Sequence, residues 1–522
     1  MTEPSDSDRS RSTVDRRRFI AAAGAAGVAG VAGCMGNGGG GGDGTTPGDG
    51  SGGSGGSGGG TTTGQNGEST VTLRVWSGNM TDEPANKKYW QNAIQRFNDQ
   101  SNDVEVELRG VPYESQFKKI RAAIQADSGV PHLNEIGSRI DTIQAGELLR
   151  LKEQGLWGQS TISEKVTDGV LSLSQAWGQQ VTGAEGKLVT WPLGLRPYMN
   201  VYRRDWLDAA GISPSDIPGT PENLDAGAPT WQGGGGDTFT MFEDLYSPMN
   251  GTDLASGDAS PDSTGMKEGD EEILSHYNGQ WGITKMGTVN NAGTHSILTT
   301  ERARDVIRFQ KEGIEQGYFH PNSINHGDEE VTTLLWSNKL GMCHVQDVSD
   351  LWSSFRQQLG DQTYLDNYTW GLEPKGPGSD GRRSVYSVTP VFAPFEAAYE
   401  NQAQKDASVE FSDWFAASDT EPLQRTKKIG WVPIDPAIMT GDWFTQDELH
   451  TKFWNTMQEI VETYSISAQP AVQGASKIGF QIPRTMHQRI FQQGMSIEQA
   501  TKLASEEINQ ILRDNGRYEP MN

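Results

Sequence analysis

Cysteine is nearly absent from this chain. Its 522 residues include only Cys34 and Cys343. Cys34 closes an N-terminal apolar segment, which leaves the rest of the chain a single thiol and excludes an internal disulfide framework. Cys343 lies in the mostly apolar run Leu340–Val345 and reads as a buried structural thiol. Basic charge is also scarce: 43 Lys+Arg stand against 68 Asp+Glu, a formal net charge of −25. That balance argues against nucleic acid and anionic membrane surfaces as partners, since both require a basic patch. A uniformly acidic surface instead suits solubility in high salt, where screening removes most of the self-repulsion. The alternative is an acidic surface that attracts a cationic ligand. Apolar runs are short: Ala21–Ala32 is weakly hydrophobic, and too brief and Gly-rich to span a membrane.

The familiar catalytic patterns are missing too. Gly233–Gly236 is followed by Asp237-Thr238 with no Gly-Lys-Ser/Thr, so it cannot cradle a nucleotide phosphate in Walker fashion. His320 and His326 are the closest histidine pair, and no third ligand at zinc-like spacing joins them. The acidic run Asp258, Asp262, Glu268, Asp270, Glu271 and Glu272 lacks the alternation of a calcium loop and reads as a solvated loop. From Ser69 onward no Gly-x-Ser-x-Gly elbow occurs. Neither a metal nor a cofactor is expected. Glycoside hydrolysis would require two of the many carboxylates at a fixed separation, a pairing made in space and not by sequence spacing.

What is present begins with an address. Arg16 and Arg17 open the run Arg16-Arg17-Arg18-Phe19-Ile20, ahead of Ala21–Ala32. This resembles a twin-arginine export signal, with Asp15 where Ser or Thr is commoner. Val31-Ala32-Gly33-Cys34 resembles a lipobox, whose thiol would accept a diacylglycerol. Met35 to Glu68 is dominated by Gly, Ser and Thr, cannot bury a core, and would span roughly 30 Å as a random coil. The implied layout is a signal peptide at 1–33 and a lipid-anchored tether at 34–68. The signal takes five Arg and four Asp+Glu with it, so the mature chain stays strongly acidic.

Order is expected from Ser69 onward, where 15 Trp, 16 Phe and 13 Tyr in the chain support a large core. Val71–Trp76 reads as a first strand and Ser77-Gly78-Asn79 as its turn. Pro84 sits near the start of a helix with Tyr89, Trp90, Ile94 and Phe97 on its apolar face. Val104–Leu108 alternates as a second strand, and Phe117, Ile120, Ala123 and Ile124 mark a second helix. Strands and helices alternating in this way predict an open α/β sheet, with ligand beyond the carboxyl ends of its strands. Thr299 or Thr300 should cap a helix through Gln316, with Gly317 as its stop. Ser496–Gln499 should open a last helix with Ala500, Leu503, Ala504, Ile508 and Leu512 on one face. Much of Ser213–Gly279, rich in Pro, Gly, Asp and Ser, reads as surface insertion. Asn79, Asn250 and Asn367 begin possible glycan sequons.

An ordered set of segments carries a family resemblance. Tyr113–Gly129 with Pro131 after it is similar to a "helix, Ser-Gly-x-Pro-Asp" segment, with His132 in place of Asp, a position more structural than ligand-touching. Gly146–Leu151 resembles "Gly-x-Leu-x-x-Leu", and Gly186-Lys187-Leu188-Val189-Thr190-Trp191-Pro192 resembles "Gly-Lys-Leu-x-x-aromatic-Pro". Val201–Trp206 stands where "Tyr-Asn-Lys-Asp-Leu" is usual, followed by Ala210-Gly211-Ile212. Pro229-Thr230-Trp231, Asn338–Met342 and Gly430-Trp431-Val432-Pro433 continue the series. From about Thr70 to Leu512 the chain resembles extracellular solute-binding protein family 1, the maltose-binding-protein-like proteins of ABC importers.

The resemblance implies an α/β, two-lobe periplasmic-binding-protein-like (Venus flytrap) fold with an interlobe ligand cleft. Lobe 1 would comprise 69–196 plus 386–435 and lobe 2 would comprise 197–385 plus 436–522. Crossings are expected near Arg196–Tyr198, Tyr386 and Pro433. It also implies a monomeric, non-enzymatic substrate-binding lipoprotein, anchored at Cys34 on the extracellular face. Such a protein delivers a mono- or oligosaccharide to membrane permease subunits. Aromatic faces against sugar C–H faces, with amides, carboxylates and arginine meeting the hydroxyls, make the usual site. By matched position the expected ligand residues are Trp76, Ser77, Asn79, Gly137, Ser138, Arg139, Trp191, Gln346 and Asp347. Trp281 and Trp431 are further stacking candidates, with Tyr246 and Phe480 from the second lobe. Trp206, Trp336, Trp414 and Trp454 sit in helical patterns and are assigned to packing. Arg139 and Arg196 keep an anionic ligand such as a phosphorylated polyol open. An anchored glycoside hydrolase and an adhesion or sensory lipoprotein are the alternatives from other classes.

Overall fold

The chain divides into Met1–Gly67 and a compact unit, Glu68–Asn522. The computed structural model describes residues 70–81, 84–136, 148–171 (except 169), 188–224 (except 218), 288–316 (except 291 and 292), 333–335, 340–371, 384–467 (except 464) and 472–521 (except 473, 475 and 476). Arg16, Arg17, Cys34, Asn250 and the expected insertions beyond residue 224 lie outside the described residues.

In chain order the main elements are β1 (Val71–Ser77), α1 (Pro84–Gln100), β2 (Val104–Gly110), α2 (Tyr113–Gln125), β3 (Leu133–Ile136), β4 (Trp191–Pro192), β5 (Arg196–Arg203) and α3 (Arg204–Ala209). They continue with α4 (Glu301–Gln316), β6 (Met342–Asp347), β7 (Tyr368–Gly371), β8 (Ser384–Val388), β9 (Val391–Pro394), α5 (Gln402–Ala417) and α6 (Glu421–Ile429). α7 (Glu448–Thr463), β10 (Ser465–Ser467) and α8 (Ile497–Asp514) complete the chain.

Two sheets result. The first has the order β2-β1-β3-β9-β4; β1, β2 and β3 run parallel, and β9 runs antiparallel to β3 and β4. The second has the order β10-β8-β5-β6, with β7 also pairing β5. Its central strand β5 is buried along almost its whole length, as a strand covered on both faces must be. The edge strand β2 alternates, with Val104 and Val106 buried and Glu105 and Glu107 exposed. Asn98 of α1 pairs its amide with the Val106 backbone, accepting from the Val106 N–H at 2.9 Å and donating to its carbonyl at 3.1 Å. Those bonds occupy backbone groups that an edge strand would otherwise leave open to pairing.

The main core joins the α1 side of the first sheet to the second sheet. Pro84 is the first residue of α1, and Tyr89, Trp90, Ala93, Ile94 and Phe97 form its buried stripe at helical spacing. Trp90 stacks on Phe415 of α5 with ring centroids 4.9 Å apart. α6 is tied to α1 by buried Glu421, which accepts three bonds from Arg96 and one from the Tyr89 hydroxyl at 2.8 Å. Cys343 is buried and is not part of a disulfide among the described residues. Thr300 caps α4, its hydroxyl accepting from the Ala303 N–H at 3.3 Å. Ser496 caps α8 through the Gln499 N–H at 3.2 Å. The apolar seam of α8 is Ile497, Ala500, Ala504, Ile508 and Leu512; Leu503, expected on it, is 39% exposed. One residue before Ala504 is a rotation of about 100°, enough to carry the side chain off the seam.

Three segments join the sheets side by side. Leu193–Leu195 leads from β4 to β5, Thr389–Pro390 leads from β8 to β9, and Trp431-Val432 follows α6. Leu193 donates to the Pro390 carbonyl at 2.9 Å, and Leu195 and Val432 exchange two backbone bonds, each 2.9 Å. Gly194 is required there, because a Cβ would stand 2.9 Å from the Val432 carbonyl oxygen. The wholly buried Arg425 donates to the Leu193 and Phe415 carbonyls and packs over the Phe415 and Trp431 rings.

Candidate functional site

In the first sheet, β1 lies between β2 and β3, and the chain leaves its carboxyl end in one direction and β3's in the other. The two covering helices sit on opposite faces. Leu73 and Val75 point into the core that holds Tyr89, Trp90 and Phe97 of α1, whereas Trp76 packs with Ile120 of α2. The carboxyl ends of β1 and β3 therefore border a topological switch point, the crevice where open α/β sheets bind ligands.

A buried carboxylate organises this crevice. Glu135 of β3 is 1% exposed. Its Oε2 accepts from the Ser77 hydroxyl and from the Gly78 and Asn79 N–H groups, each at 3.0 Å. Its Oε1 accepts from the Tyr113 hydroxyl at 2.8 Å. Ser77 Oγ in turn accepts from the Met80 N–H at 3.1 Å, which tightens the turn after β1. Burial pushes the Glu135 carboxyl above its usual range, and the bonds from Asn79, Tyr113 and Ser77 and the Arg196 guanidinium pull it back. Arg196 is held from the second sheet's side, its Nε donating to Ser349 Oγ at 2.9 Å. Gly78 is demanded by packing: a Cβ there would stand 2.2 Å from Cδ1 and Cε1 of the Tyr113 ring.

Ser77 and Asn79 are thus brought together by Glu135, which the sequence reading did not select. Asn79 is 1% exposed, and its Oδ1 accepts from the Trp90 indole N–H at 3.0 Å. A side chain so committed cannot carry a glycan in the folded chain, which removes Asn79 from the sequons; Asn367 is half-buried at the end of the helix Asp361–Asn367.

The tryptophans are placed differently from open stacking platforms. Trp76 is 5% exposed, and Arg109 lies over its ring at 5.1 Å. Trp191 is fully buried and stacks on Trp157 at 5.6 Å, while Trp431 is fully buried beside Arg425. The indole N–H groups of Trp191 and Trp431 have no hydrogen-bond partner among the described residues. Trp206 and Trp454 are buried as assigned, Trp414 packs edge-on to Phe97, and Trp336 lies outside the described residues.

Gly137, Ser138, Arg139, Tyr246 and Trp281 also lie outside the described residues. Gln346 and Asp347 end β6, in register with Met199 and Tyr198 of β5. Phe480 falls in the π-helical turn Lys477–Gln481. A signal for Glu135 did exist: a lone carboxylate inside Leu133-Asn134-Glu135-Ile136 must find donors wherever that strand is buried. Tyr113 carried no such signal, since a tyrosine at a helix start is ordinary.

His132, which stands where the resembled segment has Asp, is fully buried. Its Nδ1 accepts from the Arg74 N–H at 2.9 Å while its own N–H donates to the Arg74 carbonyl at 2.8 Å, joining β1 to the segment before β3. Burial and the Arg74 charge lower its pKa to about 4. Among the described residues no cluster of three or more His, Cys, Asp or Glu could hold a metal ion. No helix of the described residues is long and apolar enough to cross a membrane.

No protein-family model matches the chain. A search of curated proteins likewise finds no match. Solved structures do match. The GacH receptor of Streptomyces glaucescens, described unliganded and with acarbose, superposes with a TM-score of 0.62 at 15% identity, over 86% of this chain and 100% of that one. An ABC transporter solute-binding protein from Thermotoga lettingae, bound with α-D-tagatose, gives 0.59 at 16% identity over 85% and 100%. The cyclic α-maltosyl-1,6-maltose binding protein of Arthrobacter globiformis gives 0.60 at 15% identity over 85% and 100%. At such identities the likeness is one of architecture, and the chain has the two-lobe α/β fold of periplasmic solute-binding proteins.

Proposed function

We propose that this chain is the substrate-binding component of an ABC importer, capturing a mono- or oligosaccharide outside the cell and presenting it to permease subunits. The observation that carries the reading is the fold. The matching structures are of proteins that bind acarbose, tagatose and a cyclic maltosyl-maltose, and they are covered almost completely. The switch-point crevice is bordered, on one side of the joining segments, by the turn Ser77–Asn79, which buried Glu135 holds in place. The three bonded segments near Leu193, Pro390 and Val432 are suited to act as the hinge. A ligand favours closure only through contacts made to both lobes, so binding and closure are one equilibrium. The protein does no chemistry in this scheme.

The N-terminal segment completes the proposal: export through Arg16 and Arg17, lipid attachment at Cys34 and a tether to Glu68. Lobe boundaries near 196, 385 and 435, a monomeric state and adaptation to salt belong to the same reading.

The test is a thermal-shift screen of the full chain in molar salt against maltose, D-tagatose, glycerol 3-phosphate and a peptide mixture. A ligand that binds only the folded state raises the melting temperature by mass action. A shift with a carbohydrate supports the proposal; a shift confined to glycerol 3-phosphate or peptides overturns the choice of ligand. Cys34→Ser should move the protein from the membrane fraction to the medium, and unchanged partition would sink the anchor.

A further inference from the structure

We propose that Tyr113 is the aromatic wall of the ligand site and sets its specificity, with Glu135 as the residue that positions it. This rests on the carbohydrate-binding reading and assigns that site a residue that the family resemblance did not point to.

The argument starts from surface. A stacking platform must offer a ring face to the ligand, and Trp76, Trp191 and Trp431 offer almost none. Tyr113 is half-buried and opens α2 at the carboxyl end of β2, beside the switch point between β1 and β3. Its ring is fixed on one side by Gly78, where no Cβ intervenes, and at its tip by the 2.8 Å bond to Glu135 Oε1. A ring held at two points loses little freedom when a ligand packs on it, which lowers the entropic cost of binding. Glu135 is itself fixed by the Ser77 hydroxyl and the Gly78 and Asn79 N–H groups, so the ring and the turn after β1 are set by one carboxylate.

An independent observation also marks this place as one where polar ligand atoms are received. Gln116, one turn into α2 and fully buried, donates to the Glu135 carbonyl at 3.0 Å, yet its Oε1 has no partner among the described residues. Asn134, adjacent to Glu135 and fully buried, has neither amide atom bonded among the described residues. Buried polar groups are rarely left so. An acceptor on Gln116, and a donor with an acceptor on Asn134, match the paired donor and acceptor character of sugar hydroxyls. An aromatic face beside such groups is the complement of a pyranose, which has an apolar C–H face and a hydroxyl rim.

The experiment is calorimetric titration of the full chain with maltose and D-tagatose, with unfolding of each variant measured without sugar. Tyr113→Leu keeps bulk over Gly78 but has no aromatic face; Tyr113→Phe keeps the face. Tyr113→Leu should weaken the bound sugar by about ten-fold or more, and Tyr113→Phe by a few-fold at most. Glu135→Gln should weaken it in the wild-type background and leave affinity unchanged in the Tyr113→Phe background. A purely structural role for Glu135 would instead weaken both equally. Wild-type binding that survives Tyr113→Leu overturns the proposal while leaving the carbohydrate reading intact. Absence of binding of either sugar to the wild-type chain overturns that reading and this proposal with it.

Discussion

Replacing Gly78 with alanine isolates the packing that shapes the crevice. The added Cβ would lie 2.2 Å from Cδ1 and Cε1 of Tyr113 and 2.7 Å from Cγ, so the ring must move. Forcing extra volume into a packed site costs about 1–3 kcal/mol. Moving the ring also breaks the bond from the Tyr113 hydroxyl to Glu135, leaving a buried carboxylate short of one donor. A hydrogen bond to a charged group contributes about 1.5–3 kcal/mol. Together these give a loss of roughly 2.5–6 kcal/mol, read from urea unfolding as a lower midpoint at unchanged slope. A double-mutant cycle supplies the control. In a Tyr113→Ala background the obstruction is gone, so Gly78→Ala should then cost under about 1 kcal/mol. Equal costs in the two backgrounds would refute the reasoning, because the strain would then lie in the backbone and not against the ring.

Three further outcomes are expected. His132 and the fully buried His487 both have folded pKa values lowered to about 4, chiefly by burial. The unfolded chain therefore takes up protons first, so their share of stability is present above pH about 6.5 and is lost as pH falls toward 4. His132→Asn, which keeps an acceptor for the Arg74 N–H, should flatten unfolding midpoints between pH 6.5 and 5; an unchanged slope would count against the assignment. Arg425→Met removes the guanidinium that serves the Leu193 and Phe415 carbonyls and should cost about 3–5 kcal/mol in denaturant unfolding. Arg425→Lys should recover only part of that loss, since an ammonium cannot span both carbonyls. Finally, with a net charge of −25, the melting temperature should rise between dilute and molar salt, and an unchanged value would contradict salt adaptation.

Much of the fold was legible because the relevant signals are local. Alternation placed β1 and β2, helical spacing placed the buried stripe of α1, and Thr300 and Ser496 marked helix starts that the structure confirms. Leu503 shows the limit of the same signal, since one apolar residue beside a seam is indistinguishable from one on it until the helix is packed.

The sequence by itself determined the acidic balance, the buried thiol at Cys343, the order of strands and helices, and the candidacy of the turn after β1. Each depends on composition or on neighbours within a few residues. Only the tertiary structure decided which side chains meet. Glu135 reaches Ser77, Gly78, Asn79 and Tyr113 across separations in sequence of 22 to 58 residues. Trp191 and Trp431 have their rings enclosed by packing rather than presented to solvent, which no spacing could reveal. The physical reason is that the pairing of β1 with β3 sets which loops share an edge, and that pairing is a long-range choice made by the whole core.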